Sequence, residues 1–264
     1  MAGFTAKDVQ LLRQETGAGI MDAKNALTEC DGDFEKAKTY LREKGVAKSE
    51  KRADRENSEG TISLAETSDT IALVELKCET DFVAKSDSFL KFADAAAETV
   101  LQKGEDALTE LKDELDELRI TLKENIAIGR VARIANSEDS IVGSYLHMQS
   151  GRCINAVVVE LNGGSKELAH DIAVHVAFAK PAYLSRDEVP EEMVVAERQT
   201  LENISRNEGK PEAALPKIIE GRLNGFYKEI CLLEQPYVKD EKKSIKEILS
   251  GAQVKRFIQI IIGQ

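Results

Sequence analysis

Tryptophan is absent from this chain of 264 residues, and aromatic residues make up only 5% of it. A ligand pocket walled by aromatic rings is therefore not expected. Long hydrophobic runs are missing too. Stretches such as Ala156–Val159 fall far short of the roughly 20 residues that cross a bilayer. The first residues, Met1 to Asp8, show no basic patch followed by an apolar run, so they do not read as a secretory signal. The four cysteines, Cys30, Cys78, Cys153 and Cys231, are scattered singly, which supports neither a zinc site nor a redox pair. Positive charge is also in deficit: 36 basic side chains face 47 acidic ones, a net charge of −11. That argues against general binding to nucleic acid and against an anionic membrane surface. The expectation is a cytoplasmic protein with reduced cysteines.

Signatures of common chemistry are lacking as well. There is no phosphate-binding G-x-x-x-x-G-K-[ST], no G-x-G-x-x-G and no H-E-x-x-H. Gly163-Gly164-Ser165-Lys166 is too short for a phosphate loop and reads as a turn leading into a helix. Of the three histidines, His175 lies on the apolar face of a helix and reads as a hydrogen-bonded core residue. His170 points to solvent, and His147 sits in a strand-like stretch where an exposed contact role is open. No catalytic residue, metal site or cofactor is expected.

What is present is organised by charge. Residues 1–55 hold eleven basic and ten acidic side chains, so the whole acidic excess lies beyond residue 55. The join, Lys48 to Asn57, is charged and nearly free of apolar residues, which marks a boundary. Before it, three short helices are expected. Thr5 and Asp8 form a capping box for the first, with Val9 and Leu12 inward and Leu11 left open. Ile20, Ala23, Leu27 and Cys30 form the stripe of the second. Asp33 caps the third, with Phe34, Ala37 and Leu41 inward, and Gly45 is expected to stop it.

A weak internal repeat follows. Glu59–Leu64 and Ile71–Leu76 read as two strands before a helix from Ser88 to Val100, whose inward face is Phe89, Phe92, Ala93, Ala96 and Val100. Val142–His147 and Asn155–Leu161 repeat the pattern before a helix from Lys166 to Ala179 with Leu168, Ile172 and Val176 inward. Aligning Glu75 with Glu160, and Phe92 with Ala169, shows that the first copy carries about eight extra residues within Cys78–Asp87. An amphipathic helix is expected from Gln102 to Asn125, and a helical hairpin from Glu191–Asn207 and Glu212–Ile230, its first arm poor in apolar residues. A final strand runs over Phe257–Ile262. The fold class is α+β: a three-helix module, a core of two related β-β-α subdomains, a projecting helical hairpin and a C-terminal segment. The domains are drawn at 1–55, 56–140, 141–184, 185–230 and 231–264.

An insertion in one copy of a repeat is a natural place for function. Thr80 can cap a helical turn that starts at Asp81. Phe82 and Val83 then either tuck under the connection or form an exposed acidic and aromatic tip, and both readings stay open on the residues alone. An exposed aromatic is a strong interface anchor.

Several segments resemble one known family. Leu12–Lys24 is similar to the N-terminal signature of bacterial elongation factor Ts, and Cys78–Lys85 to its second signature. Gly143–His147, Ala173–Ala177 and Gln235–Asp240 match as well, in order along the chain. The resemblance implies a guanine-nucleotide exchange factor, not an enzyme, whose partner is elongation factor Tu. It implies an N-terminal module similar to ubiquitin-associated (UBA) domains, docking through Arg13, Ile20 and Lys24. It implies that Thr80, Asp81, Phe82 and Val83 wedge in near the partner's Mg²⁺, with Phe82 packing between partner side chains and Asp81 disturbing the ion. His147 is implied as a further contact. The chain has Lys123 where the family often has glycine. The hairpin either projects or mediates a homodimer. Two alternatives are a non-catalytic adaptor for ubiquitin-like domains, suggested by the three-helix module, and a hydrolase using Asp81 with another carboxylate.

Overall fold

The computed structural model describes residues 3–68, 70–135 and 140–264. Contacts divide the chain into two compact units, one of residues 1–135, 148–154 and 261–264, the other of residues 136–147 and 155–260.

The first unit opens with α1 (Ala6–Thr16), α2 (Ile20–Glu29) and α3 (Phe34–Glu50). The Thr5 hydroxyl accepts the Asp8 N–H, and the Asp8 carboxylate accepts the Thr5 N–H at 2.7 Å, so the capping box is complete. Asp33 accepts the Lys36 N–H at 3.1 Å and caps α3. Val9, Leu12, Ala23, Leu27, Ala37 and Leu41 close a small core. Two expectations fail here. Ile20, assigned to the inward stripe, is 58% exposed, because the first residue of α2 overhangs the turn from α1. Gly45 does not stop α3, which runs on to Glu50. A β-carbon on Gly45 would lie 2.9 Å from Ile120 Cγ2, so the glycine serves close packing rather than termination.

β1 (Glu59–Glu66) and β2 (Thr70–Cys78) pair antiparallel, from Glu59 opposite Cys78 to Glu66 opposite Ile71. After β2 come α4 (Asp81–Ala84) and α5 (Asp87–Lys103). The predicted inward face of α5 is buried throughout, against Ala72, Val74, Leu76 and Cys78 of β2. Each fully buried large apolar side chain contributes about 1.5–3 kcal/mol. The single amphipathic helix expected over 102–125 is broken: Gly104, at φ 93°, ends α5, a 3₁₀ turn covers Glu105–Leu111, and α6 is Lys112–Leu122. Its leucines still pack on the same core. β3 (Ala127–Ala135), absent from the sequence reading, adds to β2, so the sheet order is β1-β2-β3.

β4 (Ser140–Gln149) and β5 (Arg152–Asn162) are joined by Ser150 and Gly151, both at positive φ, the two-residue turn of an antiparallel hairpin. α7 (Lys166–Ala179) follows the expected turn at Gly163–Lys166 and is capped by Ser165, whose hydroxyl accepts the Leu168 N–H at 3.1 Å. α8 (Glu191–Asn207) and α9 (Leu215–Ile230) form the hairpin, with a 3₁₀ turn at Glu212–Ala214 before α9. β6 (Pro236–Tyr237), β7 (Asp240–Ser244) and α10 (Ile245–Ile248) follow, and β8 (Gln253–Ile261) closes the sheet β4-β5-β8. Val157, Val159 and Leu161 of β5 pack against Ala169, Ile172 and Val176 of α7. Each copy of the repeat is thus a helix on a three-stranded sheet, its third strand arriving from further along the chain. The architecture is α+β.

Candidate partner-binding site

The connection between β2 and α5 spans residues 79–86, whereas that between β5 and α7 spans 163–165. The longer connection folds into one helical turn because its first residues cap it. The Thr80 hydroxyl accepts the Val83 N–H at 3.3 Å, and the Ala84 N–H bonds to the Thr80 carbonyl at 3.1 Å. The Ser86 hydroxyl donates to the Val83 carbonyl at 2.8 Å and closes the far end.

The two readings of this tip resolve residue by residue. Val83 is half-buried against the α5 core and Ala84 is fully buried, so they form the root. Phe82 faces the other way and is 83% exposed, the most exposed large apolar side chain among the described residues. A phenyl ring left in water forfeits burial, so the fold gains nothing from it. Asp81 sits beside it, at the positive end of the turn. The Lys85 ammonium, 2.6 Å away, holds the Asp81 carboxyl below the usual carboxylate range, so it is ionised at neutral pH. The tip therefore presents an aromatic ring next to a fixed negative charge.

The base of the tip is tied down by residues the sequence reading missed. Glu124 accepts the N–H groups of Glu79 at 3.0 Å and Thr80 at 3.1 Å, and the Thr80 hydroxyl at 2.5 Å. The Glu79 carboxylate accepts the Asn125 N–H at 2.7 Å and pairs with Arg55 at 3.4 Å. The Cys78 thiol donates to the Thr80 carbonyl at 3.2 Å, and burial pushes it up to about 12, so it stays protonated and inert. Lys123 occupies the left-handed region at φ 60° as the C-terminal cap of α6. Glycine adopts that conformation without a β-carbon penalty, whereas lysine carries one.

Other expected contact residues lie elsewhere. Arg13 is exposed on α1, as is Leu11, and Ile20 and Lys24 are exposed one turn apart on α2, as is Met21. His147 belongs to the second unit and is exposed near the end of β4, with the Tyr145 hydroxyl 3.4 Å from its Nδ1. His170 is exposed, its Nδ1 2.7 Å from the Ser144 carbonyl.

His175 is fully buried, as expected of a core histidine. The Val238 N–H donates to its Nδ1 at 3.3 Å, which leaves Nε2 to donate to the Gln235 side-chain oxygen at 2.9 Å. Burial lowers its proton affinity, so the ring is neutral. Tyr237 and Lys239 both reach Asp171, at 3.1 and 2.7 Å. The Gln235–Lys239 segment is thus a clamp on α7.

Among the described residues, no cluster of three or more histidine, cysteine and carboxylate side chains is placed to hold a metal ion. No described helix is long and apolar enough to cross a membrane.

Comparison with known proteins places these features in one family. The family model described as Elongation factor TS matches residues 79–264. Elongation factor Ts of Clavibacter sepedonicus is 46% identical to this chain, and the alignment covers the whole of both. Elongation factor Ts of Mycobacterium avium is 45% identical and that of Mycobacterium ulcerans 44%, again over the full length of both chains. With its two signature segments inside one full-length match, this chain belongs to the elongation factor Ts family.

Proposed function

We propose that this chain is a guanine-nucleotide exchange factor: it binds elongation factor Tu carrying GDP, disturbs the Mg²⁺ and phosphate site, and promotes GDP release during translation elongation. Family membership over the full length supports the activity, and the exposed Phe82 ring on an anchored turn is the observation that carries its mechanism.

Exchange needs no covalent step. A factor that binds its partner more tightly without nucleotide weakens nucleotide binding by the same factor. Each ~1.4 kcal/mol of such coupling is worth tenfold. In GTPases the Mg²⁺ neutralises the phosphates, so displacing it removes much of what holds the nucleotide. The Phe82 ring is the wedge that enters an apolar gap in the partner. Asp81 brings a negative charge, kept ionised by Lys85, towards the ion's surroundings. Thr80 and Val83 hold the wedge to the body. Arg13, Ile20 and Lys24 dock the three-helix module, and His147 adds a contact from the second unit. Nothing supports the adaptor alternative, which leaves the tip without a purpose.

Stopped-flow release of a fluorescent GDP from elongation factor Tu, with and without this protein, tests the proposal. Release should accelerate with protein concentration and saturate; a rate independent of the protein contradicts it.

A further inference from the structure

We infer that Glu124 is a positioning residue for nucleotide release, a clamp that holds the Thr80–Val83 wedge in its active conformation. The inference rests on the wedge reading above and adds to it the part that makes the wedge stiff.

α4 has four residues, too few for a helix to hold itself in water. Its shape has to be imposed from its ends. At the entry to the turn, the N–H groups of Glu79 and Thr80 need acceptors outside the helix. One carboxylate supplies both and also accepts a hydrogen bond from the Thr80 hydroxyl, leaving the hydroxyl oxygen free to cap Val83. Bonds to an ionised acceptor are about twice as strong as neutral ones. Glu124 thus orients the cap that orients the turn that carries Phe82.

Glu124 is itself held. Lys123 turns the chain at the end of α6 and aims residue 124 back at the end of β2. Next to it, the Asn125 side-chain amide donates to the Ala53 and Arg55 carbonyls at 3.0 and 2.6 Å. Glu79 closes the circuit by accepting the Asn125 N–H and pairing with Arg55. A three-residue loop therefore fastens both the root of the wedge and the segment leaving the N-terminal helices. A loose wedge would spend part of its binding free energy on becoming ordered.

The test uses full-length Glu124→Ala, Glu124→Gln and Phe82→Ala proteins. The maximal rate of GDP release, the concentration at half-maximal rate, hydrogen exchange at the Glu79 and Thr80 amides, and the melting temperature are read for each. Glu124→Ala should lower the maximal rate by roughly tenfold or more and speed exchange at both amides, with little change in melting. Glu124→Gln, which keeps an acceptor oxygen, should recover most of the rate. Phe82→Ala should slow release without changing those amides. If Phe82→Ala is slow and Glu124→Ala matches wild type, the clamp is wrong and the wedge stands. If Phe82→Ala itself releases GDP at the wild-type rate, the wedge reading fails and the clamp with it. A Glu124→Ala loss that merely tracks lost folded protein, with no rescue by glutamine, also overturns the clamp.

Discussion

The two copies of the β-β-α repeat solve one packing problem with different connections. In the second copy, Gly163 and Gly164, both at positive φ, and the capping Ser165 take the chain from β5 into α7 in three residues. In the first, eight residues make the same journey from β2 to α5, five more than in the second and fewer than the about eight extra expected, because strand and helix ends absorb part of the offset. The second copy shows that the frame does not need the longer path. The additional residues carry the one large apolar side chain that the first connection leaves in water, and they require Glu124, more than forty residues away, to hold them. The copies differ also in their aligned buried carboxylates. Glu160 pairs with Arg256 at 2.7 Å and Lys255 at 3.6 Å, while Glu75 accepts the Arg130 N–H at 2.9 Å beside the irregularity in β2–β3 pairing. A buried carboxylate needs partners, and each copy finds a different kind.

Three perturbations probe how the two copies differ. Glycines sit at close contacts in both sheets. A β-carbon on Gly143 would lie 2.5 Å from the α7 backbone at Ala169 and His170, whereas one on Gly129 would meet the Glu75 carboxylate. Backbone cannot swing aside and a side-chain end can. Gly143→Ala should therefore cost about 3 kcal/mol or more, and Gly129→Ala about 1–2 kcal/mol. Denaturant unfolding compares them, and equal costs would break the distinction.

His175 gives the second unit a pH dependence. Its folded-state proton affinity is lowered from the ordinary 6.5 by burial, so below that pH the unfolded chain binds the proton and the folded chain resists it. Stability from this residue is intact above about pH 6.5 and is lost as pH falls below it. Unfolding free energies measured from pH 8 to 5 should decline for wild type and decline less for His175→Gln.

The smallest effect belongs to Lys123. Replacing it with glycine relieves the left-handed strain and should raise stability by up to about 1 kcal/mol, read as a modest rise in melting temperature. Any loss of stability would contradict the strain account.

Much of this fold was legible because its signals are local. The Thr5 and Asp8 box, the Asp33 and Ser165 caps, the α5 stripe and the Thr80 cap all depend on residues within four positions of each other. What was hidden depends on distant partners. Gly45 reads as a helix stop until Ile120 is seen against it. β3, Ala127–Ala135, spaces its β-branched residues Ile128, Val131 and Ile134 three apart rather than two and holds Gly129, and β7 is Asp240–Ser244 with no apolar residue, so neither announces a strand. The division of labour between Val83 and Phe82 was invisible because it follows from where α5 lies. Glu124 carries no local signal at all; its partners are 44 and 45 residues earlier.

On the proposed mechanism, the longer connection of the first copy drives release while the frame holds it. GDP release from elongation factor Tu by an Asp81→Ala/Phe82→Ala double variant separates the two roles. Both side chains are clear of the core, so unfolding should change by no more than about 0.5 kcal/mol. Interface anchors of this kind carry about 2 kcal/mol or more, so release should slow by roughly thirtyfold. A folded double variant that releases GDP at the wild-type rate would contradict the account.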